Sequence, residues 1–292
     1  MKQLNYHLDL ITPAFCGGAA PEAEAEIRAS AIRGQLRWWI RALGGFARLA
    51  GKPIEEQAAL VFGKAGAASP LVVRVAPLPG FPPLVSQARA NADDLRAGPG
   101  TALGYALFPL RSAPRPDRRG PRLPEPDERR RGVMWPKPMR FALQLLWHGP
   151  AEMAGDIHAL ASVFGHLGGL GFRSRRGFGA LAFAPDSPTP PLALADALAA
   201  FSPTGQPPVV VCRLGTAAGD WRGATESLLS WLRSWRQHGQ MSRRWDARAN
   251  TWLQTSAEQR AALRSQPGFR YARRDHNEGL DAQGARASYP DP

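Results

Sequence analysis

Between Leu4 and Ile11 apolar and polar residues alternate, with Leu4, Tyr6, Leu8 and Leu10 set against Asn5, His7 and Asp9. That is the two-residue period of a half-buried strand, and Thr12-Pro13 with Gly17-Gly18 end it. From about Ser30 to Leu49 the period lengthens. At about 100° per residue Ile32, Leu36, Trp39, Ile40, Leu43 and Ala47 gather on one face, which predicts a helix. A shorter helical pattern runs from Pro53 to Phe62, and Leu71 to Ala76 (LVVRVA) and Thr101 to Leu110 read as strands. Phe141 to Trp147 (FALQLLW) is a further strand, Ala151 to Leu167 a helix, and Phe178 to Phe183 (FGALAF) a strand. Ser187 to Pro208, rich in Ala and Pro, reads as a connector, Val209 to Leu214 as a strand and Trp221 to His238 as a helix.

Two strand–helix–strand segments follow one another, so the expected fold is α+β: two ferredoxin-like units with helical and loop insertions. Residues 1–110 form the first unit and residues 139–240 the second. Between them, Arg111 to Gly132 holds eight arginines and five prolines but a single large aliphatic residue, Leu123. Such a segment cannot build a core, so residues 111–138 are expected to be a mobile insertion. Large aliphatics are scarce after Met241, and residues 241–292 are expected to be a helical or disordered tail.

Charge adds a direction to this picture. The 292 residues carry 37 Lys+Arg against 24 Asp+Glu, a formal net charge of +13. The excess points to a polyanion, because each cation set against a phosphate releases a condensed counterion. Nearly all of it is arginine, with lysine at Lys2, Lys52, Lys64 and Lys137, and a coding bias towards Ala, Gly, Pro and Arg would account for the same excess. Cys16 and Cys212 match no zinc spacing and fit a reducing, cytoplasmic setting. The N-terminus lacks the apolar run of a signal peptide, and no stretch has the apolar length to span a bilayer, so no membrane partner is expected.

Two motifs carry candidate binding chemistry. On the predicted helix Arg33, Arg37, Arg41 and Arg48 gather beside the apolar face at helical spacing, with no acid in their own helix. Such a column suits an anion lying along it, and the plainer alternative is a solvated charged face. Ser30 or a neighbour could cap the helix and present its N-terminus to a phosphate. Trp38 could stack on a base, Trp39 belongs to the core, and the role of Arg28 stays open. The second motif, Gly168 to Gly179 (GGLGFRSRRGFG), runs from helix to strand, the reverse of the common phosphate loops, which argues against nucleotide hydrolysis. Its glycines would admit a closely approaching ligand or positive φ angles. Arg173, Arg175 and Arg176 with Ser174 and Gly177 would meet phosphates, and Phe172 or Phe178 would offer a stacking surface.

Catalysis has weaker support. His7 and His148 sit on predicted strands, and His158 and His166 lie two turns apart on a helix without the carboxylates of a metal site. Glu22, Glu24 and Glu26 alternate in a loop and suit solvent or a partner's arginine better than a metal, and Asp275-His276 lies in the tail. No metal, no cofactor and no enzymatic activity are expected.

TPAFCGGA, then IRASAIRGQLRWWIRAL, then GGLGFRSRRGFG together resemble the RAMP superfamily of CRISPR proteins, over roughly Leu4 to Phe183. The IRASAIRGQLRWW run is most like subunit one of the type III-B Cmr complex. The resemblance implies RRM-like folds and an RNA-binding subunit of an RNA-guided antiviral effector. Its partners would be guide RNA (crRNA), with or without target RNA, and other effector subunits. It further implies that Ser30, Arg33, Gly34 and Arg37 meet the RNA backbone and that the glycine loop packs beside them. The alternative class is a metal-independent endonuclease that processes repeat transcripts, and a basic RNA-binding protein outside CRISPR is a third.

Overall fold

A computed structural model describes residues 1–97, 101–110, 116–117, 120–121, 130–136, 138–201, 220–238, 243–246 and 251–254. Its centre is a sheet of β1 (Lys2–Leu10), β2 (Leu71–Pro77), β3 (Arg140–Trp147) and β4 (Leu181–Phe183). The alternation in β1 follows from its position. Leu4, Tyr6, Leu8 and Leu10 are buried, and Asn5, His7 and Asp9 take the other face. β1 pairs antiparallel with β3, Leu4 opposite Leu145 and Leu8 opposite Phe141, and with β4 along its other edge. β2 pairs antiparallel with the far side of β3, giving the order β4-β1-β3-β2.

One face of this sheet is covered by α1 (Ala29–Ala42), α2 (Ile54–Phe62) and α4 (Ala154–Leu167). Ile32, Leu36 and Ile40 of α1 and Leu160 and Phe164 of α4 join the inward strand residues in one core. Each such side chain contributes roughly 1.5–3 kcal/mol by leaving water.

In chain order this is strand, helix, strand, strand, helix, strand, and the strand order 4-1-3-2 is the ferredoxin-like arrangement. The described residues therefore make one such unit where the sequence predicted two. The physical reason is that a strand–helix–strand segment alone supplies only two strands, and an isolated pair is marginal in water. Interleaving puts β1 beside β3, so both long strands are paired along both edges.

The chain between β2 and β3 builds a second, smaller core. Thr101 to Leu110 is helical where a strand was expected: α3 (Ala102–Ala106) is capped by Thr101 Oγ1, which accepts from the Gly104 amide at 2.9 Å. Leu103, Ala106, Leu107 and Leu110 are buried there with Phe15, Val133, Phe178 and, from α6 (Trp221–His238), Leu229. The insertion is anchored at its end. Gly132 and Val133 donate to the Pro21 and Ala88 carbonyls, and Met134 exchanges both backbone bonds with Ala14. A Cβ on Gly132 would lie 1.9 Å from the Glu24 carbonyl carbon, so residues 132–134, at the end of the segment expected to be mobile over 111–138, are buried and hydrogen-bonded to the chain after β1 and before β3. The connector after Ser187 contains α5 (Leu194–Ala199), and Phe201 beyond it stacks on Phe46 at 4.9 Å. The strand expected at Val209 to Leu214 lies outside the described residues. So does most of the tail after Met241, where Arg243–Asp246 pairs with Thr251–Gln254.

Asp156 of α4 is only 8% exposed, and Arg48 Nε donates to its Oδ2 at 3.1 Å. Burial pushes this carboxyl above its ordinary value, and Arg48 pulls it back. Arg48→Ala is expected to cost about 1–3 kcal/mol near neutral pH by leaving a buried carboxylate unpaired. A folded pKa above the unfolded one means that protonation favours the native state. The deficit should therefore shrink as pH falls through the folded value, as urea denaturation in neutral and mildly acidic buffers will read.

Candidate nucleic-acid interface

The sequence spacing holds for α1 but its length does not. The helix stops at Leu43, and Gly44 and Gly45 (φ 78° and 90°) turn the chain away. A Cβ on Gly45 would lie 2.5 Å from Gln57 Oε1, whose oxygen accepts from the Phe46 amide at 2.8 Å. Arg48 thus sits on a separate 3-10 turn, Ala47–Leu49, and leaves the column. The N-cap residue is Arg28, without a side-chain cap, and Ser30 is inside the first turn and caps nothing. Arg28 Nη2 instead donates to the Gly17 carbonyl at 3.0 Å, with Glu26 3.9 Å away.

Buried Ile32, Leu36 and Ile40 turn Ser30, Arg33, Gly34, Arg37, Trp38 and Arg41 outward, and all six are exposed. The partner of the arginine column is α2. Arg33 donates to the Phe62 carbonyl and lies over its ring, Arg41 meets Glu55 at 2.7 Å, and Arg37 lies 4.0 Å from the same carboxylate. One carboxylate serving two guanidiniums leaves the ridge positive. Exposed pairs of this kind are worth about 0–1 kcal/mol, so a phosphate can compete for them. Trp38 is 43% exposed and meets Trp39 edge-on at 4.9 Å. Between the ridge and Trp38 sits Gly34, where an added Cβ would meet nothing within 4 Å. A mid-helix glycine costs about 1 kcal/mol relative to alanine, and no packing within the described residues requires this one.

The glycine–arginine loop is stapled to the segment after β1. The Phe172 amide donates to the Phe15 carbonyl at 2.9 Å, Gly179 to Pro13 at 2.8 Å, and Leu170 to Gly179 at 2.9 Å. Gly171, Gly177 and Gly179 have φ of 80°, 83° and 66°. A Cβ on Gly171 would lie 2.5 Å from the Phe15 carbonyl oxygen, and one on Gly179 2.0 Å from that of Leu170. These two glycines serve backbone-to-backbone packing inside the chain. Ser174–Arg176 form a 3-10 turn between left-handed Arg173 (φ 64°) and Gly177, which faces Thr225 of α6.

Of the two phenylalanines, Phe178 is 0% exposed in the second core and offers no stacking surface, whereas Phe172 is 42% exposed. Arg173 lies 4.9 Å over the Phe172 ring, and Arg176 lies 5.6 Å over Tyr105 of α3. Burial, and then the Arg176 charge, hold the Arg173 guanidinium below the usual arginine range. Arg175 is exposed. Tyr105, α6 and exposed Trp135, next to the Met134–Ala14 bridge, complete this surface. Nothing local in the sequence marked them, because they arrive from elements far along the chain.

Helix and loop meet through residues 13–18: Phe15 holds the loop, Cys16 accepts from the Glu26 amide at 2.7 Å, and Gly17 holds Arg28. The Arg28 end of α1 therefore adjoins the loop, and Arg41 lies about 20 Å further along the axis. Burial pushes the Cys16 thiol up to about 11. Two of the described histidines are tied into structure by their rings, while the buried His7 Nδ1 has no hydrogen-bond partner among the described residues. His158 and His166 Nε2 meet the Pro190 and Leu192 carbonyls at 3.1 and 2.8 Å, and His7 Nδ1 lies 3.6 Å from Asp186. The loop glutamates are dispersed, Glu22 to Arg131, Glu24 to Gln87 and Glu26 to Arg28. Among the described residues no group of three or more His, Cys, Asp or Glu could hold a metal, and no helix is long and apolar enough to cross a membrane.

The RAMP superfamily model matches residues 7–182. Among solved structures, apo Cmr1 from Pyrococcus furiosus is similar at 23% identity and TM-score 0.42, covering 63% of this chain and 50% of that one. A chain of the type III-B Cmr-beta bound to cognate target RNA is similar at 14% identity and TM-score 0.37, covering 62% and 58%. A chain of a type IV-B CRISPR complex is similar at 17% identity and TM-score 0.38, covering 65% and 94%. This chain spans about half the length of the first two. No curated protein matches.

Proposed function

The chain belongs to the RAMP superfamily, and from that membership we propose that it is an RNA-binding subunit of a type III CRISPR RNA-guided effector complex. Its partners are guide RNA (crRNA), target RNA or both, together with neighbouring effector subunits, in the cytoplasm. The observation that carries the reading is the outward face of α1. There an exposed glycine that the described residues do not require lies between a positive ridge and an exposed tryptophan. A phosphate backbone laid along α1 would use that combination: Gly34 for close approach, Arg37 and Arg41 for charge, Trp38 for stacking. Arg175, Arg173 and Phe172 extend it past the Arg28 end. The run IRASAIRGQLRWW supports the finer reading, the subunit-one place in a type III-B Cmr complex. We propose binding without cleavage, since His158 and His166 are each engaged in holding the chain that follows β4.

The test is incubation of the purified chain with labelled single-stranded repeat RNA in EDTA. Retention on a filter without shortening of the RNA is expected. Absence of binding at low salt overturns the proposal, and shortening that is lost on changing one histidine overturns its non-catalytic part. Gly34→Ala sharpens the test because its two effects have opposite signs. It should stabilise the fold by about 0.5–1 kcal/mol while weakening RNA binding several-fold, as thermal melts and filter binding on the same samples will read.

A further inference from the structure

The sheet face opposite the helices carries a recess of about 380 Å³ that no residue of α1 or of the glycine–arginine loop lines. Its floor is made by Ala76 and Ala142, register partners on β2 and β3, with His7 opposite Ala142 on β1. Two alanines side by side among longer neighbours leave a flat apolar dent. Along one side Asn5 and Gln144 are register partners, and Gln144 Nε2 donates to Asn5 Oδ1 at 3.2 Å. Asn5 Oδ1 also accepts from Gln3 at 3.1 Å. That leaves the Asn5 amide hydrogens and the Gln144 carbonyl oxygen as a donor and an acceptor side by side.

Two arginines stand on this face and differ in their company. Arg140 is saturated: it bonds Asp9 at 2.6 and 2.9 Å and Asp186 at 3.0 Å, with Phe81 5.0 Å away. That network fixes the wall where Pro188 and His7 stand. Arg74, the register partner of Gln144 on β2, is exposed and has no carboxylate partner among the described residues. The recess therefore combines a flat apolar floor, an amide donor–acceptor pair and one uncompensated cation, at a volume within the range of small-molecule sites.

We propose that this recess binds a single nucleotide, its base on Ala76 and Ala142, the base edge at the Asn5 and Gln144 amides, and its phosphate at Arg74. An amide pair reads the hydrogen-bonding edge of an unstacked base, and a guanidinium takes phosphate in a fork. The nucleotide comes either free or as one unit of a single strand, and the chemistry of recognition is the same.

The experiment is photo-crosslinking of the full chain with 8-azido-AMP and, separately, with a short oligouridylate carrying 4-thiouridine, followed by peptide mapping. Adducts are expected on peptides holding 71–77 or 140–147. Arg74→Ala and Ala142→Leu should each lower them by at least about tenfold, and Lys52→Ala, at an exposed position outside both surfaces, should leave them unchanged. Adducts with 8-azido-AMP identify a free nucleotide, and adducts with the oligonucleotide alone identify a strand; both support the site. No adduct on these peptides with either probe, or adducts indifferent to both substitutions, overturns it. Arg74→Ala removes an exposed side chain, so its result does not depend on tolerance of a larger residue at Ala142. Recess adducts retained in a chain that binds no RNA through α1 and the loop would overturn the interface reading and leave this one standing.

Discussion

Gly179→Ala is expected to destabilise the chain by about 3–5 kcal/mol, a large share of the 5–15 kcal/mol that holds an ordinary domain together. Two costs combine. A side chain at φ 66° enters the left-handed region, at about 1–2 kcal/mol. The new Cβ would also lie 2.0 Å from the Leu170 carbonyl oxygen, which is backbone and cannot rotate away. Relief requires breaking the Leu170–Gly179 bond or the Gly179–Pro13 bond, both of which staple the loop to the segment after β1. Thermal melts should show a fall of about 6–20 °C for a chain of this size. Gly66→Ala and Gly80→Ala are the controls: both have positive φ with open space around the Cβ, so each should cost no more than about 1–2 kcal/mol. A Gly179→Ala chain that melts like the wild type and has lost only RNA binding would mean that the glycine serves the ligand and not the fold.

The contrast between these glycines marks how far the sequence could be read. The alternation of β1 and the period of α2 were legible because each packs one face on a single core, so burial writes a local pattern. The count of units was not legible. Whether β3 pairs with β1 or opens a sheet of its own is decided by contacts more than a hundred residues apart, as between Leu4 and Leu145. Thr101 to Leu110 misled because one turn of helix is too short to show its period. The end of α1 was available: Gly44-Gly45 is a stop signal, overridden only because Ala47 and Leu49 happen to continue the apolar spacing. The arginine column was found but its partner was not, since Glu55 belongs to another helix and an ion pair between elements leaves no mark in either one. Gly34 carries the opposite lesson. A glycine inside a strong helical pattern is visible in sequence, and only the structure reveals that the described residues do not use it.

Arg37→Ala with Arg41→Ala is expected to cut the affinity for single-stranded RNA by about 25-fold at roughly 0.1 M salt. The figure follows from counterion release. Each phosphate contact on a single strand contributes about 0.7 to the slope of log affinity against log salt, so two contacts remove about 1.4 from it. Extended from about 1 M, where the electrostatic part vanishes, that slope gives about 25-fold at a tenth of the concentration. Stability should hardly move, because the pair shares one exposed carboxylate, Glu55, and such pairs contribute about 0–1 kcal/mol. Arg33→Ala separates the two roles that the column could play. Arg33 donates to the Phe62 carbonyl at the end of α2, so its loss should cost about 1 kcal/mol of stability with a smaller change in the salt slope. Filter binding across a salt series, run beside urea denaturation, reads both quantities for each variant. An unchanged slope in the Arg37–Arg41 double variant would reduce the ridge to a device for packing α1 on α2, and the RNA would then have to be held by the loop alone.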